Sequence, residues 1–572
     1  VSRSRLDDFH VTGKPLAWDA QERPAALAQA RGLDFDLIII GGGITGAGIA
    51  REAALRGISF LLVDQDDFAA GTSSRSSKLV HGGMRYLSQG EFRLVREATT
   101  ERNWLQQALP NLVRPQPFHW CAWRGGKDSR GRIRLGLALY DLLSDTFSRF
   151  RNAGRRRFLT PAELAAAEPA FARDGLLLAG RYFDCNVDDA RLTLETLKEA
   201  RDLSGGRSVA LNHVRAERIL LAGGRVRAVE LADQLGGSTF AVRCGCVLNA
   251  TGVWTDATLA RAGLASRLIR PTKGVHLVVP NARIGNHGAF ALRSLDDGRS
   301  FFVLRRGEVS LIGTTDTDYQ GSPENPRCEA ADADYLLRTV NALFPEARLT
   351  CADILSTYAG IRPLIREEGR AASAVSRRHL IQDPGTGVVT IAGGKLTTFR
   401  TMAFEALQRC SRSGYLRPLK GAEARRDFSR RPYKVGLDRA GFDAALARLR
   451  LQGLLPEPAL AHLHQQYGHG ALGILREVRD APAAGAPLLP GLATCAAELH
   501  HILAFENAPS LMDVMLRRTE LQLRVSHTLQ PVLAARVAAI MGCWYGWDEG
   551  RRRDEVERYL AFLRTTLFFQ AG

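Results

Sequence analysis

Lysine is scarce in this 572-residue chain: eight residues against 69 arginines, within 77 basic and 60 acidic side chains and a formal net charge of +17. Such an excess favours contact with phosphates or an anionic membrane surface over binding a polycation. Cysteine is sparse and scattered. Nine occur, and only Cys244 and Cys246 lie close together, too little for a tetrahedral zinc site. An odd count without a dense framework suits a reducing compartment. Long apolar runs are missing. The longest near the front, Leu37 to Ala50, covers 14 glycine-rich residues, whereas a membrane span needs roughly 18. The first 33 residues carry Arg3, Arg5, Asp7, Asp8 and Lys14 with no uninterrupted apolar stretch, so no secretory signal is expected. No pair of D-x-[DN]-x-[DN]-G calcium loops occurs toward the end.

What is present is a large globular chain, 45% hydrophobic and 24% charged, with 55 glycines. Residues 1–34 read as a polar extension. Phe35 to Ile40 is a short buried strand by composition, broken by Gly41-Gly42-Gly43-Ile44-Thr45-Gly46. A helix follows to Arg56, then a β-branched run from Ile58 to Val63 that ends in Asp64. Strand, turn, helix and strand in this order form a βαβ unit. Further on, Thr160-Pro161-Ala162-Glu163 has the spacing of a capped helix start, and Gly223-Gly224 joins two strand patterns as a hairpin. Strand patterns dominate 274–313, and Val388 to Ala392 is one more buried strand before Gly393-Gly394 and a helix. A basic link (411–437) leads to a helical remainder, 438–572, broken by a Pro/Ala/Gly segment from Ala481 to Gly491.

The fingerprint Gly41-x-Gly43-x-x-Gly46 has a physical reason at each position. The first glycine makes the tight turn, the second admits a diphosphate, and the third allows helix and strand to pack closely. The diphosphate then lies on free amides at a helix N-terminus. Asp64 stands where an acid accepts from the adenosine ribose. Three further features favour the longer FAD over NAD: Thr72-Ser73-Ser74 after the second strand, Thr251-Gly252 after the strand Val247–Ala250, and Gly393-Gly394-Lys395 before a helix.

These stretches also carry a family likeness. The run Thr72–Leu87 (TSSRSSKLVHGGMRYL), VDDARL at 187–192, NATGVW at 249–254, IGTTDTDY at 312–319, YAGIRPL at 358–364 and GGKLTTFR at 393–400 resemble the FAD-dependent, quinone-linked glycerol-3-phosphate dehydrogenases, within the wider group of D-amino-acid-oxidase-like flavoproteins. The likeness is strong over roughly 36–400, and LMDVMLRRT at 511–519 extends it to a helical C-terminal domain. It implies an α/β fold: a Rossmann-like FAD-binding domain (35–410) with an inserted antiparallel-sheet substrate domain (approximately 110–180 and 270–355), plus an all-helical C-terminal domain. It also implies oxidation of glycerol 3-phosphate, electrons passed to a membrane quinone, and a cytoplasmic protein resting peripherally on the anionic membrane face. A homo-oligomer stays open.

The resemblance assigns roles residue by residue. Arg85, Arg362 and Arg377 (or its neighbour Arg378) are the basic residues around the substrate phosphate, where a planar guanidinium offers paired donors. His81 is a candidate acceptor for the alcohol proton, or a structural histidine under the flavin, and Tyr86 an orienting hydrogen bond. Lys395 would sit at the flavin pyrimidine edge and stabilise the charge that builds on reduction. Ser73, Ser74, Ser77 and Lys78 would wrap the diphosphate with Gly252, Gly394, Leu396 and Thr397 around the cofactor, Thr397 with helix capping as its plainer role.

Nucleic-acid binding and oxygen-dependent oxidation are two other classes. A nucleic-acid binder lacks a recognisable module in which aromatic and basic residues interleave. A soluble flavin oxidase that uses oxygen stays open, because oxygen access depends on cavity shape. The helical stretches Leu451–His464 and Leu529–Trp547 are expected as core helices before membrane contacts.

Overall fold

The computed structural model describes residues 17–145, 150–367 and 378–567. Its first layer is a six-stranded sheet in the order His379–Gln382, Val388–Gly393, Val247–Asn249, Leu37–Ile40, Phe60–Val63, Val209–Leu211. All pairs are parallel except the edge strand His379–Gln382. The run Leu37-Ile38-Ile39-Ile40 is buried at every position because both faces are covered. Leu37 and Ile39 meet Ala47, Ile49 and Ala50 of the helix Ile44–Leu55, with Leu197 and Leu407 from the helices Asp189–Ser204 and Phe399–Arg412. Ile38 and Ile40 meet Val226, Val229 and Val242 of a three-stranded antiparallel sheet. That sheet contains the expected hairpin, with Gly223 and Gly224 at φ of 58° and 73°.

A second, ten-stranded sheet forms the substrate domain. Its central strand Ile269–Pro280 pairs antiparallel with Val309–Gly313 on one side and Ser356–Ile365 on the other. The helix Ala330–Leu343 covers one face through Ala333, Leu336, Leu337 and Val340. The helix Arg130–Asp145 covers the other through Ile133, Leu137 and Tyr140. The sheet runs past the expected bounds, through Leu176–Asn186 and to Ile365, and Leu79–Val80 joins it. The strand Arg114–Trp123 is the least expected, since Pro115 and Pro117 lie within it. Pro117 sits opposite Phe183 in the pairing with Leu176–Asn186, an interior place that proline ordinarily avoids.

The Thr160 capping box forms: Thr160 Oγ1 accepts from Glu163 N at 3.2 Å and Glu163 Oε2 accepts from Thr160 N at 2.8 Å. The stretch 411–437 is packed rather than loose. Arg51 donates to the carbonyls of Ser429 (3.0 Å) and Arg431 (3.1 Å), and Tyr433 is buried beside Trp104.

Helices from Arg439 to Thr566 make up the C-terminal domain around two apolar clusters. Leu460 and Leu463 of one expected core helix and Leu533, Val537 and Met541 of the other are buried there. No helix among the described residues is long and apolar enough to cross a membrane. Residues 1–16 of the expected extension lie outside the described residues. The rest of it is folded: the helix Arg23–Gly32 buries Leu27 and Ala30 against the three-stranded sheet, and before it a strap holds Trp18, whose N donates to Ala504 O at 2.9 Å and whose ring lies 5.1 Å from that of Phe68.

Candidate active site

The glycine turn opens a cleft of about 270 Å³ lined by Gly41, Gly43, Asp64, Thr72, Ser73 and Gly252. A side chain at Gly46, the third residue of the helix, would put its Cβ 1.8 Å from Gly41 O, so the helix can pack against the turn only with glycine there. Ser73 Oγ accepts from Ile44 N at 2.9 Å and so joins the serine loop to the helix start. Asp64 Oδ2 accepts from Gly42 N at 2.7 Å and Oδ1 from Asp66 N at 3.0 Å. Removal from water outweighs those two bonds and pushes the Asp64 carboxyl up to about 7.

A second cavity of about 760 Å³ adjoins the first. Thr72, Arg75, Ser76, Pro363, Gly394, Lys395 and Leu396 lie on the walls of both, making one trough. His81, Tyr86, Arg362, Ser77 and Thr397 line the second cavity. The Lys395 ammonium lies 3.6 Å from the centre of the Tyr86 ring. Thr397 does not cap the following helix. Its Oγ1 accepts from His81 N (3.0 Å) and donates to His81 O (3.2 Å), tying the two loops together.

Arg362 faces the cavity within a network. Its Nη1 donates to Asp316 Oδ1 at 3.0 Å and its Nη2 to Thr314 Oγ1 at 2.9 Å. The second oxygen of Asp316 pairs with Arg299 at 2.6 Å, so one carboxylate orients two arginines on the wall. Gly274 makes room for Arg362, since a Cβ there would lie 2.3 Å from its Nη2.

Other expected residues stand elsewhere. Lys78 is not on the cleft wall. It is buried, its Nζ 2.6 Å from both Asp189 Oδ1 and Glu520 Oε1, and it also donates to Ser74 O at 3.1 Å. Burial works against that ammonium, but the two carboxylates prevail and hold its pKa above the ordinary lysine range. Its charge is therefore already matched by carboxylates and is not presented to a diphosphate. Ser74 likewise stands off the lining. Arg85 belongs to the turn Met84–Gln89, between two residues that line the second cavity. Arg377 lies outside the described residues. Arg378 is exposed and paired with Glu91 at 2.9 Å.

One residue on the wall was not expected. His276 sits mid-strand among Val275, Leu277 and Val279, which face the core, so the alternation turns it toward the cavity. Its ring stacks on Tyr358, its register partner, at 4.7 Å, and Nε2 lies 2.9 Å from Ser77 Oγ. Burial, then the positive charges of Arg362 and Lys78, hold its pKa well below the ordinary imidazole value. The ring is neutral near pH 7, with a nitrogen able to accept a proton. A lone histidine within an apolar alternating strand was the available signal.

The trough fits FAD: a glycine cradle at a helix start at one end, an acid where a ribose would lie, and a wide chamber edged by Lys395 at the other. Comparison with known proteins agrees. Residues 36–400 match the family described as FAD dependent oxidoreductase, and residues 416–552 match the C-terminal domain of alpha-glycerophosphate oxidase. Glycerol-3-phosphate dehydrogenase 2 of Mycobacterium bovis is 36% identical over 544 residues, spanning 94% of this chain and 89% of the relative. The aerobic glycerol-3-phosphate dehydrogenase of Staphylococcus epidermidis is 39% identical over 66% of each chain. The crystal structure of glycerol-3-phosphate dehydrogenase from Bacillus halodurans, complexed with FAD, superposes with a TM-score of 0.76 at 28% identity, covering 96% of this chain and 98% of that one. The chain belongs to the FAD-dependent oxidoreductases and, among them, to the glycerol-3-phosphate dehydrogenase family, with FAD as its cofactor.

Proposed function

We propose that the protein oxidises sn-glycerol 3-phosphate to dihydroxyacetone phosphate and passes the electrons to a membrane quinone. The observation that carries this reading is the meeting, on one cavity wall, of a neutral buried imidazole (His276) and a guanidinium held in place by a carboxylate (Arg362 on Asp316). An alcohol needs a proton acceptor, and a phosphate needs a fork of donors. Bound FAD supplies the acceptor for the hydride that leaves C2. The chain's own groups do the rest.

In this reading Arg362 binds the phosphate, with Arg85 and Arg377 as further basic residues. His276 Nε2 takes the hydroxyl proton as C2–O becomes a carbonyl, and Ser77 Oγ, 2.9 Å away, orients the ring. His276 thus replaces His81 as base, and His81 lines the same chamber beside Tyr86. Lys395 holds positive charge at the edge where negative charge develops. The mouth of the chamber carries Phe92 and Leu135, 47% and 72% exposed, beside Arg132. Such an apolar and basic rim suits a quinone reached from an anionic membrane surface.

The test of the acceptor is stopped-flow reoxidation. Enzyme reduced anaerobically with glycerol 3-phosphate is mixed with a short-chain quinone or with oxygen. Faster reoxidation by quinone supports the dehydrogenase reading, and faster reoxidation by oxygen replaces it with an oxidase.

A further inference from the structure

Three residues of the C-terminal domain, Arg517, Arg518 and Glu520, reach the two loops beside the glycine turn. On the first loop, directly after Asp64, Asp67 is fully buried and accepts from Arg518 Nη1 (2.6 Å), Arg518 Nη2 (2.9 Å) and Arg517 Nε (2.5 Å). Asn212 Nδ2 adds a fourth donor at 2.9 Å. The same loop backs the cradle: Ala69 N donates to Gly42 O at 3.1 Å, and Phe68 packs where a Gly42 side chain would be. The Trp18 strap packs on the Phe68 ring at 5.1 Å.

On the second loop, Glu520 Oε1 pairs with Lys78 (2.6 Å) and Oε2 with Arg306 of the substrate sheet (2.9 Å). Lys78 and Ser76 share Asp189, and Ser73 of this loop holds the helix start at Ile44 N. Glu520 takes φ of 52°, a left-handed conformation uncommon outside glycine. Asp67, His213 and Asp513 converge at the first contact, and Asp188, Asp189 and Glu520 at the second. Arg517–Arg518 and Lys78, respectively, supply the positive charge there.

We propose that the C-terminal domain is a latch on the cofactor: Arg517 and Arg518 on Asp67, and Glu520 on Lys78, fix the two loops that enclose the FAD diphosphate and so set how slowly the nucleotide leaves. These are positioning residues, acting through the loops and not by touching the reacting atoms. The proposal goes beyond the substrate and acceptor reading, resting on the FAD cleft alone.

The experiment is FAD release from purified holoenzyme, followed by the rise of flavin fluorescence after dilution, for D67N, R518Q, the double variant and E520Q. Each single change is expected to speed release about tenfold, a lost share of a buried charged contact. The double variant is expected to be no faster than the faster single, because both cut one contact. Y559F, which removes the buried Tyr559–Gln530 hydrogen bond elsewhere in the domain, is the stability control. It is expected to lower Tm without changing release. Should D67N or R518Q not accumulate as folded holoenzyme, E520Q carries the test alone, since it keeps shape and removes charge. Unchanged release in the latch variants overturns the proposal, as does equal acceleration by Y559F at a matched loss of Tm. Neither outcome bears on glycerol 3-phosphate as substrate, which flavin bleaching tests separately.

Discussion

His276 Nε2 and Ser77 Oγ lie 2.9 Å apart although 199 residues separate them in the chain. The contact joins a strand of the substrate sheet to the serine loop of the FAD domain, so the proposed base is oriented by the packing of one domain on the other. Tyr358 fixes the ring from the adjacent strand. Replacing His276 by Gln removes the proton acceptor while filling similar space. We expect kcat to fall about 100-fold or more, with KM changed little and FAD retained; H81Q is expected to lose less. Steady-state kinetics on both variants checks the assignment, and a larger loss in H81Q would return the role to His81.

The pH dependence follows from the depressed His276 pKa. The folded protein keeps this ring neutral to below the ordinary value of about 6.5, so the basic form persists as pH falls through that value. The acidic limb of kcat/KM is therefore expected well below 6.5. The same shift affects stability: the unfolded chain takes up the proton first, so the contribution of His276 is full above about pH 6.5 and declines as pH drops below it. A pH–rate profile, with H276Q as reference, measures the first effect.

Arg362 and Asp316 make a pair whose partners have separable roles. R362A is expected to raise KM for glycerol 3-phosphate by roughly 10- to 100-fold, the worth of a charge-assisted hydrogen bond. It is also expected to erase the preference over glycerol. D316N leaves both arginines charged but loosens their aim, so a smaller rise is expected. Specificity constants for the two alcohols on each variant provide the check.

In the proposed reaction Lys395 serves the charge that develops during reduction rather than substrate binding. K395M is expected to slow flavin reduction at saturating substrate by about 100-fold, while the concentration giving half-maximal rate shifts little. Rapid mixing under anaerobic conditions separates the two quantities.

Gly46 tests the cradle itself. A methyl group there meets Gly41 O at 1.8 Å, so G46A is expected to yield protein with little bound flavin. Absorbance near 450 nm relative to protein (about 1 flavin per chain in the parent) measures this.

Much of this arrangement was legible because local chemistry dictates it. Gly41, Gly43, Gly46 and Asp64 form one short βαβ unit, and its requirements are met within 24 residues of sequence. The Thr160 cap and the Gly223-Gly224 hairpin are equally local. What stayed hidden depends on distant partners. Lys78 resembles a phosphate ligand within its loop, yet its acids are Asp189, 111 residues on, and Glu520 in another domain. His276 was submerged in a strand pattern whose apolar neighbours announce burial without naming the face. The strand Arg114–Trp123 was masked by Pro115 and Pro117, which argue locally against the pairing that tertiary packing enforces.

The most direct measurement is anaerobic bleaching of the bound flavin by a small panel: L-glycerol 3-phosphate, its D isomer, glycerol, lactate and amino acids. The account predicts rapid loss of the oxidised flavin spectrum with L-glycerol 3-phosphate and little change with the rest. Bleaching by an amino acid or lactate, with glycerol 3-phosphate inert, would contradict it.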